Sequence, residues 1–415
     1  MINITDMKKL FIGLMIAATF ISCDKKNPTT QFPPKKDIVL TKTQTEIAQN
    51  NNAFSFNLLK KLYSLENGQE LFISPFSMDA ALSMLSNGAG GDTFTEIAKT
   101  LGYENYSAND INETYRVITE GLLSVDNSTK LAIANALWLG QSFPVIPTFS
   151  QTLSNYYGAQ AENVDFSSPS TLQTINKWVD TNTNGMIPKI LDKIEPETAF
   201  ILANALYFKG IWTNKFKKSN TTSQIFHCLS GKTKNMDFMK GDIPCRYSYS
   251  NELQAALCEL PFGNEAFVLD ILLPDDNVNF DSLIAELDGT GWKSTVDRLS
   301  ATKEYVEMPK LDLTYSGEET MKQALASMGI NKAFEADNAD FSKISAVSTF
   351  VSKVIQKTRF KMDEDGAEAA AVTVGIGNCT SAGPSPRFIV DHPFIFAIRE
   401  TSTGTILFLG AYRGI

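Results

Sequence analysis

Histidine is almost missing from this 415-residue chain: His227 and His392 are the only two. A hydrolase that runs on an imidazole base needs a histidine beside a nucleophile, and no Gly-x-Ser-x-Gly elbow occurs to supply one. His227 and Cys228 are adjacent, but neighbours on a strand point to opposite faces and cannot pair as base and nucleophile. No His-Glu-x-x-His motif is present either. Gly231-Lys232-Thr233 looks like the end of a phosphate loop, yet the glycine required five residues earlier is Phe226. Cysteine is scarce too. Cys23, Cys228, Cys245, Cys258 and Cys379 fall in no Cys-x-x-Cys spacing, so neither a zinc site nor a redox motif is indicated, and no metal or cofactor is expected. Positive charge is in deficit, with 37 Lys and Arg against 46 Asp and Glu, a net −9. A nucleic-acid partner would need a concentrated basic face and is not expected. The short run Lys215, Lys217, Lys218 reads as a solvated turn.

What is present begins with the N-terminus. Lys8 and Lys9 precede twelve mostly apolar residues, Leu10 to Ile21, then Ser22 and Cys23. Twelve falls short of the roughly 20 that span a bilayer. A basic start, a short apolar core and a small residue describe an export signal. With a cysteine straight after, residues 1–22 resemble a bacterial lipoprotein signal, in which Cys23 is acylated and becomes the mature N-terminus. An ordinary signal peptide with a chance cysteine is the alternative. The protein is then expected to be exported and lipid-anchored in a bacterial envelope, facing periplasm or outside. Residues 23–45, rich in Lys, Pro, Thr and Asn, suit a flexible tether from membrane to domain.

At 43% hydrophobic and 20% charged, the remainder has ample material for a large core. From Ala48, Phe54, Leu58, Leu62 and Leu65 recur at helical spacing. A short strand, Leu71 to Ile73, leads to Ser74-Pro75 and a second helix that stops at Asn87-Gly88. Thr93 with Glu96 spells a capping box for a third. Leu172, Ile175 and Trp178 mark another amphipathic helix. Leu131 to Leu139 and Phe200 to Trp212 are apolar on both faces and read as doubly buried strands, each with a central asparagine, Asn135 and Asn204. Phe394, Phe396 and Ile398 alternate, Thr401 to Gly404 turns, and Ile406 and Phe408 return as a hairpin. No repeat or composition break appears, so residues 46–415 are expected to form one α+β domain.

The most unusual stretch runs from Asp363 to Ser381. An Ala-rich helix with a linker is one reading, but Gly366 and the run Val-Thr-Val-Gly-Ile-Gly oppose it. With period two, Ala367, Ala369, Ala371, Thr373, Gly375 and Gly377 form a face that is small and uncharged throughout. Glu368, Ala370, Val372, Val374 and Ile376 form the other. A strand with one slim face can slot between existing strands and under a covering helix without clash.

Here the chain resembles the serpin family. Glu364-Asp-Gly-Ala-Glu-Ala-Ala-Ala371 looks like that family's inhibitory hinge. Leu71-Phe-Ile-Ser-Pro-Phe-Ser77 is similar to its shutter segment, and Leu202-Ala-Asn-Ala-Leu-Tyr-Phe-Lys-Gly-Ile-Trp212 to its central strand and breach. Met328-Gly-Ile-Asn-Lys-Ala-Phe334 and Asp391-His-Pro-Phe-Ile-Phe396 also match in order. The resemblance covers nearly everything after Ala48. It implies three sheets, about nine helices, an exposed reactive-centre loop and a monomer that inhibits proteases rather than an enzyme. A protease would cut the loop, form an acyl-enzyme and be distorted as the loop inserts into the central sheet. Sixteen residues on from Glu364 is Thr380, so the expected bond is Thr380–Ser381. Cys379–Thr380 and a cut near Ala382 stay open. A small residue before the cut points to elastase-like or subtilisin-like proteases. Ala367 stands where the family often has Thr or Ser, and Gln356 where many members have a shutter histidine. Ser74, Ser77 and Asn204 are its candidate partners. The alternative is a non-inhibitory member acting as a binding or chaperone module.

Overall fold

Thr41 and Gln44 exchange the two hydrogen bonds of a capping box and start helix α1 (Lys42–Leu65). The helix therefore begins before residue 46. Ile38, farther upstream, is buried, and its N–H donates to Ser402 Oγ at 2.9 Å. The last residues expected in the tether belong to the folded part. The structure, a computed structural model, describes residues 32–66, 69–367 and 386–415. The remaining helices, numbered along the chain, are α2 (Pro75–Gly88), α3 (Gly91–Leu101), α4 (Ala108–Leu122), α5 (Pro147–Tyr157), α6 (Pro169–Asn182), α7 (Phe280–Glu286), α8 (Gly289–Asp297) and α9 (Glu318–Ser327). Thr93 and Glu96 do not form the expected capping box, because the N-cap of α3 is Gly90. Thr93 Oγ1 instead accepts the Asp340 N–H at 3.0 Å. Glu96 Oε2 accepts the N–H groups of Asn331 and Lys332 at 2.7 and 2.8 Å. Both side chains tie α3 to a distant segment.

Fifteen strands among the described residues build two sheets. One contains β2 (Lys130–Gly140), β3 (Gln160–Val164), β4 (Phe200–Ile211), β10 (Leu311–Ser316), β11 (Lys353–Asp363) and β12 (Gly366–Ala367), in the order β10-β11-β12-β4-β2-β3. The other contains β1 (Leu71–Ile73), β5 (Thr222–His227), β6 (Thr233–Ser250), β7 (Ala255–Phe262), β8 (Phe267–Pro274), β9 (Ser300–Pro309), β13 (Arg387–Ile389), β14 (Phe394–Glu400) and β15 (Ile406–Tyr412). Strand β6 is 18 residues long and belongs to two parts of this nine-stranded sheet. It pairs with β5 and β9 over most of its length and with β7 at Arg246–Ser250. Two of the three expected sheets thus join through one strand.

The middle of the six-stranded sheet is apolar on both faces because each face has its own cover there. Leu202, Leu206, Val354 and Phe360 face the main core, where the fully buried run Pro75–Leu85 of α2 packs. Ile201, Ala203, Ala205 and Ile355 meet Ile175 and Val179 of α6 on the other side. Double burial is complete on β4 until its last turns, whereas the first four residues of β2 are only partly covered. The C-terminal hairpin is buried at every position of β14 and β15 rather than at alternate ones, since Ile395 and Ala397 pack into the core as well as Phe394, Phe396 and Ile398. The Phe72 ring, 5.0 Å from Phe360 and 4.9 Å from Phe408, joins the two sheets.

One carboxylate is buried in α2 without a cation. Asp79 accepts from Asn51 Nδ2 at 2.7 Å, Tyr103 Oη at 2.9 Å and Ser83 Oγ at 3.2 Å. Burial nonetheless dominates these bonds and pushes its pKa up to about 6. A raised carboxyl pKa favours the fold below the unfolded value of about 3.9 and loses that contribution as pH rises through the folded value. At about 1.4 kcal/mol per unit the loss is roughly 3 kcal/mol. Guanidinium unfolding of wild type and Asp79→Asn at pH 4 and pH 7.5 should differ by about that amount in pH dependence. Parallel pH profiles would show that Asp79 is not the responsible group.

Candidate functional site

Strands β4 and β11 are hydrogen-bonded to each other for only four residues. Lys353–Gln356 pairs parallel with Ile201–Asn204, and there the direct pairing stops. Farther along, the two-residue strand β12 takes the place between them. Gly366 lies opposite Ile211 and Asp363, and Ala367 opposite Gly210 and Met362, antiparallel on both sides. Residues 205–209 and 357–361 flank the interval between these two contacts. Glu368, Ala369, Ala370, Ala371 and Thr373, the bond Thr380–Ser381, Cys379 and Cys23 lie outside the described residues.

Gly366 has φ +144°, and a Cβ there would stand 2.1 Å from the Gly210 carbonyl oxygen and 2.8 Å from Ile211 Cα. Both the conformation and the backbone contact demand glycine. Glu364 and Asp365 form the turn before it rather than part of a strand, so the inserted element starts at Gly366. Trp212 closes the turn from below. Its Nε1 donates to the Asp363 carbonyl at 2.9 Å, its N–H to the Asp365 carbonyl at 3.0 Å, and its ring stacks 4.4 Å from Phe262.

The two acidic side chains are buried and paired. Glu364 Oε1 accepts from Lys310 Nζ at 2.7 Å and Thr221 Oγ1 at 2.6 Å. Asp365 meets Lys215 Nζ at 3.0 Å and Lys218 Nζ at 2.8 Å. The run keeps the exposure expected of it at Lys217 and Lys218, and Lys215 and Lys218 in addition anchor this turn. Burial opposes ionisation of both carboxyls, but Lys310 and Thr221 outweigh it at Glu364, and Lys218 and Lys215 at Asp365. Each is held below its ordinary range. These pairs support the fold above the ordinary carboxylate pKa and are lost as pH falls through the depressed values.

A second polar cluster sits where β4 and β11 meet. Gln356 Oε1 accepts the Ser74 N–H at 3.0 Å, and its Nε2 donates to the Ser74 carbonyl at 2.8 Å and reaches Asn204 Oδ1 at 3.5 Å. Asn204 Nδ2 donates in turn to Asn135 Oδ1, its register partner on β2. Ser74 Oγ is committed to the Leu407 carbonyl at 2.8 Å. Ser77 does not join. Its Oγ is buried and has no hydrogen-bond partner among the described residues. The main-chain role of Ser74 was not legible, since every residue offers the same N–H and C=O.

The ring of His392 is held by acceptors on both nitrogens. Nδ1 contacts Asp391 Oδ1 at 2.9 Å, and Nε2 contacts the Pro274 carbonyl at 2.9 Å. Burial would lower its pKa, but these partners raise it.

Comparison with known proteins agrees with this geometry. A family model described as Serpin (serine protease inhibitor) matches residues 49–414. The human leukocyte elastase inhibitor is 32% identical over 386 residues, covering 88% of this chain and 99% of the relative. Iripin-8 of Ixodes ricinus is 32% identical over 394 residues, covering 91% and 95%. Among solved structures, the thermophilic serpin tengpin in its native state superposes with a TM-score of 0.82 at 30% identity, covering 93% of this chain and 97% of that one. Thyroxine-binding globulin with thyroxine gives 0.81 at 27% identity, covering 89% and 99%.

Replacing Gly366 by Ala should unseat β12. Hydrogen exchange at 210–212 and 363–367 should lose protection, and unfolding should cost at least about 2 kcal/mol less. Unchanged exchange would mean the close approach is not needed.

Proposed function

The chain belongs to the serpin family, and from that membership we propose that it is a monomeric suicide inhibitor of elastase-like or subtilisin-like proteases. The observation that carries this reading is the seating of Gly366–Ala367 between β4 and β11. Ala367 pairs with Gly210 in antiparallel register. Each further loop residue therefore falls opposite the preceding residue of β4. Continued in that register after cleavage, Glu368 arrives between Lys209 and Lys361, where its charge is matched. Thr373 arrives between Asn204 and Gln356, which are register partners of each other. The slim face then turns toward the main core, beside Leu202, Leu206 and Phe360.

Insertion to Thr373 requires the Gln356–Asn204 contact, the first reached of the four residue pairs of β4 with β11, to open. The energy is available. On the order of ten new backbone hydrogen bonds at ~1 kcal/mol net each release roughly 10 kcal/mol. At ~1.4 kcal/mol per tenfold in rate, that is ample to distort a protease site and stall deacylation. The names of the leukocyte elastase inhibitors among the relatives support the target class. Thr380–Ser381 is the proposed bond, with Cys379–Thr380 the nearest alternative. Cys23 is the proposed acylation site, holding the inhibitor on a bacterial envelope. No helix among the described residues is long and apolar enough to cross a membrane.

Incubation with elastase or subtilisin should yield a complex that survives a denaturing gel, and a released peptide whose mass begins at Ser381. Thr373→Arg should convert the inhibitor into a substrate, because the charge would be buried on insertion. Cleavage of the wild type without a complex would favour a binding module instead. Palmitate labelling of the full chain expressed in bacteria should disappear in Cys23→Ser while inhibition is retained. Persistent labelling would exclude that cysteine.

A further inference from the structure

Four cations line one cleft in a chain whose net charge is −9. The cleft, ≈ 1090 Å³, is bordered by the second half of α1, the end of α3, the face of α7 and the turn after β5. Lys60 and Lys61 come from α1, Lys99 from the last turn of α3, and Arg413 from the chain just after β15. The three lysines make no ion pair among the described residues. One carboxylate lines the cleft, Asp281, and it already accepts the Tyr63 hydroxyl at 2.5 Å. Local charge is therefore opposite in sign to that of the whole chain.

Arg413 is the second, independent sign. Its side chain is buried, with 5% of its surface exposed, and lies 5.2 Å over the Tyr63 ring. Nη1 donates to the Glu66 carbonyl at 2.8 Å and Nη2 to the Gln69 carbonyl, while Nε has no hydrogen-bond partner among the described residues. Among the described residues no carboxylate forms a salt bridge with the guanidinium, although Glu70, which accepts the Arg413 main-chain N–H at 2.6 Å, feels its charge. The guanidinium's hydrogen bonds go to neutral carbonyls, so its positive charge remains to attract an anion brought into the cleft.

The cleft is not wholly polar. Leu229, at the turn after β5, keeps 40% of its surface exposed there, and Ile284, Ala285 and Met328 continue the apolar lining. Positive groups beside an apolar wall suit a ligand with both characters. Lysine ammonium groups and an arginine fork bind phosphate or carboxylate oxygens, and the exposed leucine takes an aliphatic body.

We propose that this cleft binds an amphipathic organic anion: a phosphate or carboxylate head held by Lys60, Lys99 and Arg413, with its hydrocarbon body against Leu229, Ile284 and Met328. The same chemistry could come from a free amphiphile or from an anionic membrane lipid. The site lies apart from the β4–β12–β11 seam and does not depend on protease inhibition.

Calorimetric titration of the full chain carrying Cys23→Ser, which removes its own acylation site, separates the contributions. Dodecyl phosphate below its micellar concentration should bind once per chain. Inorganic phosphate and dodecanol, the head and body alone, should each bind at least tenfold more weakly. Lys60→Glu with Lys99→Glu should weaken dodecyl phosphate at least tenfold, and Leu229→Ser at least threefold, with thermal midpoints unchanged. Lys99 and Leu229 are exposed and Lys60 is half-buried, so folding should survive all three substitutions. Sedimentation with phosphatidylglycerol vesicles but not phosphatidylcholine vesicles, lost in the double variant, would assign the head to a bilayer lipid. Binding of dodecyl phosphate without sedimentation would assign a free amphiphile. The site is refuted if dodecyl phosphate does not saturate at one equivalent, or if charge reversal leaves its affinity unchanged.

Discussion

Two neighbouring strands that touch for four residues and then part impose the central constraint on this molecule. Where β4 and β11 separate, each presents N–H and C=O groups that need partners in a buried sheet. The chain supplies the first of these itself, by turning at Glu364–Asp365 and returning as Gly366–Ala367. The paired lysines, the stacked Trp212 and the obligatory glycine all serve to hold that return in place.

The lower end of the same seam is held differently. Gln356, Asn204 and Asn135 lie across three strands in the middle of apolar faces, and they are satisfied by one another and by the Ser74 backbone. Buried polar groups of this kind cost free energy whenever a partner is withdrawn, so they favour one registered arrangement over slipped ones. They also make the junction separable. A hydroxyl or amide brought between Asn204 and Gln356 can replace their contact, whereas a hydrocarbon seam would offer nothing to exchange.

Much of the scaffold was legible because its signals are local or periodic. The short strand Leu71–Ile73, the Pro75 start of α2 and the doubly apolar β4 appear where spacing places them. The misreadings share one cause. Thr93 and Glu96 have the spacing of a cap but spend their oxygens on Asp340, Asn331 and Lys332. Lys215 and Lys218 lie in a largely exposed turn, as their spacing suggests, but their convergence on Asp365, some 150 positions away in sequence, is not written there. Ser77 has the chemistry to join Gln356 and does not. Side-chain partners at such separations follow from how strands are brought together, which no local pattern encodes.

From composition and order alone came the lack of catalytic groups, the α+β character and the slim alternating face after Gly366. Each depends on residue type and on a period of two or 3.6, both of which are written along one dimension. The tertiary structure decided the rest of the hinge stretch. It set the start of the strand at Gly366, after the turn at Glu364–Asp365, and its register against Gly210 and Met362. Those are distances between strands far apart in the chain, and they exist only once the two sheets close around α2.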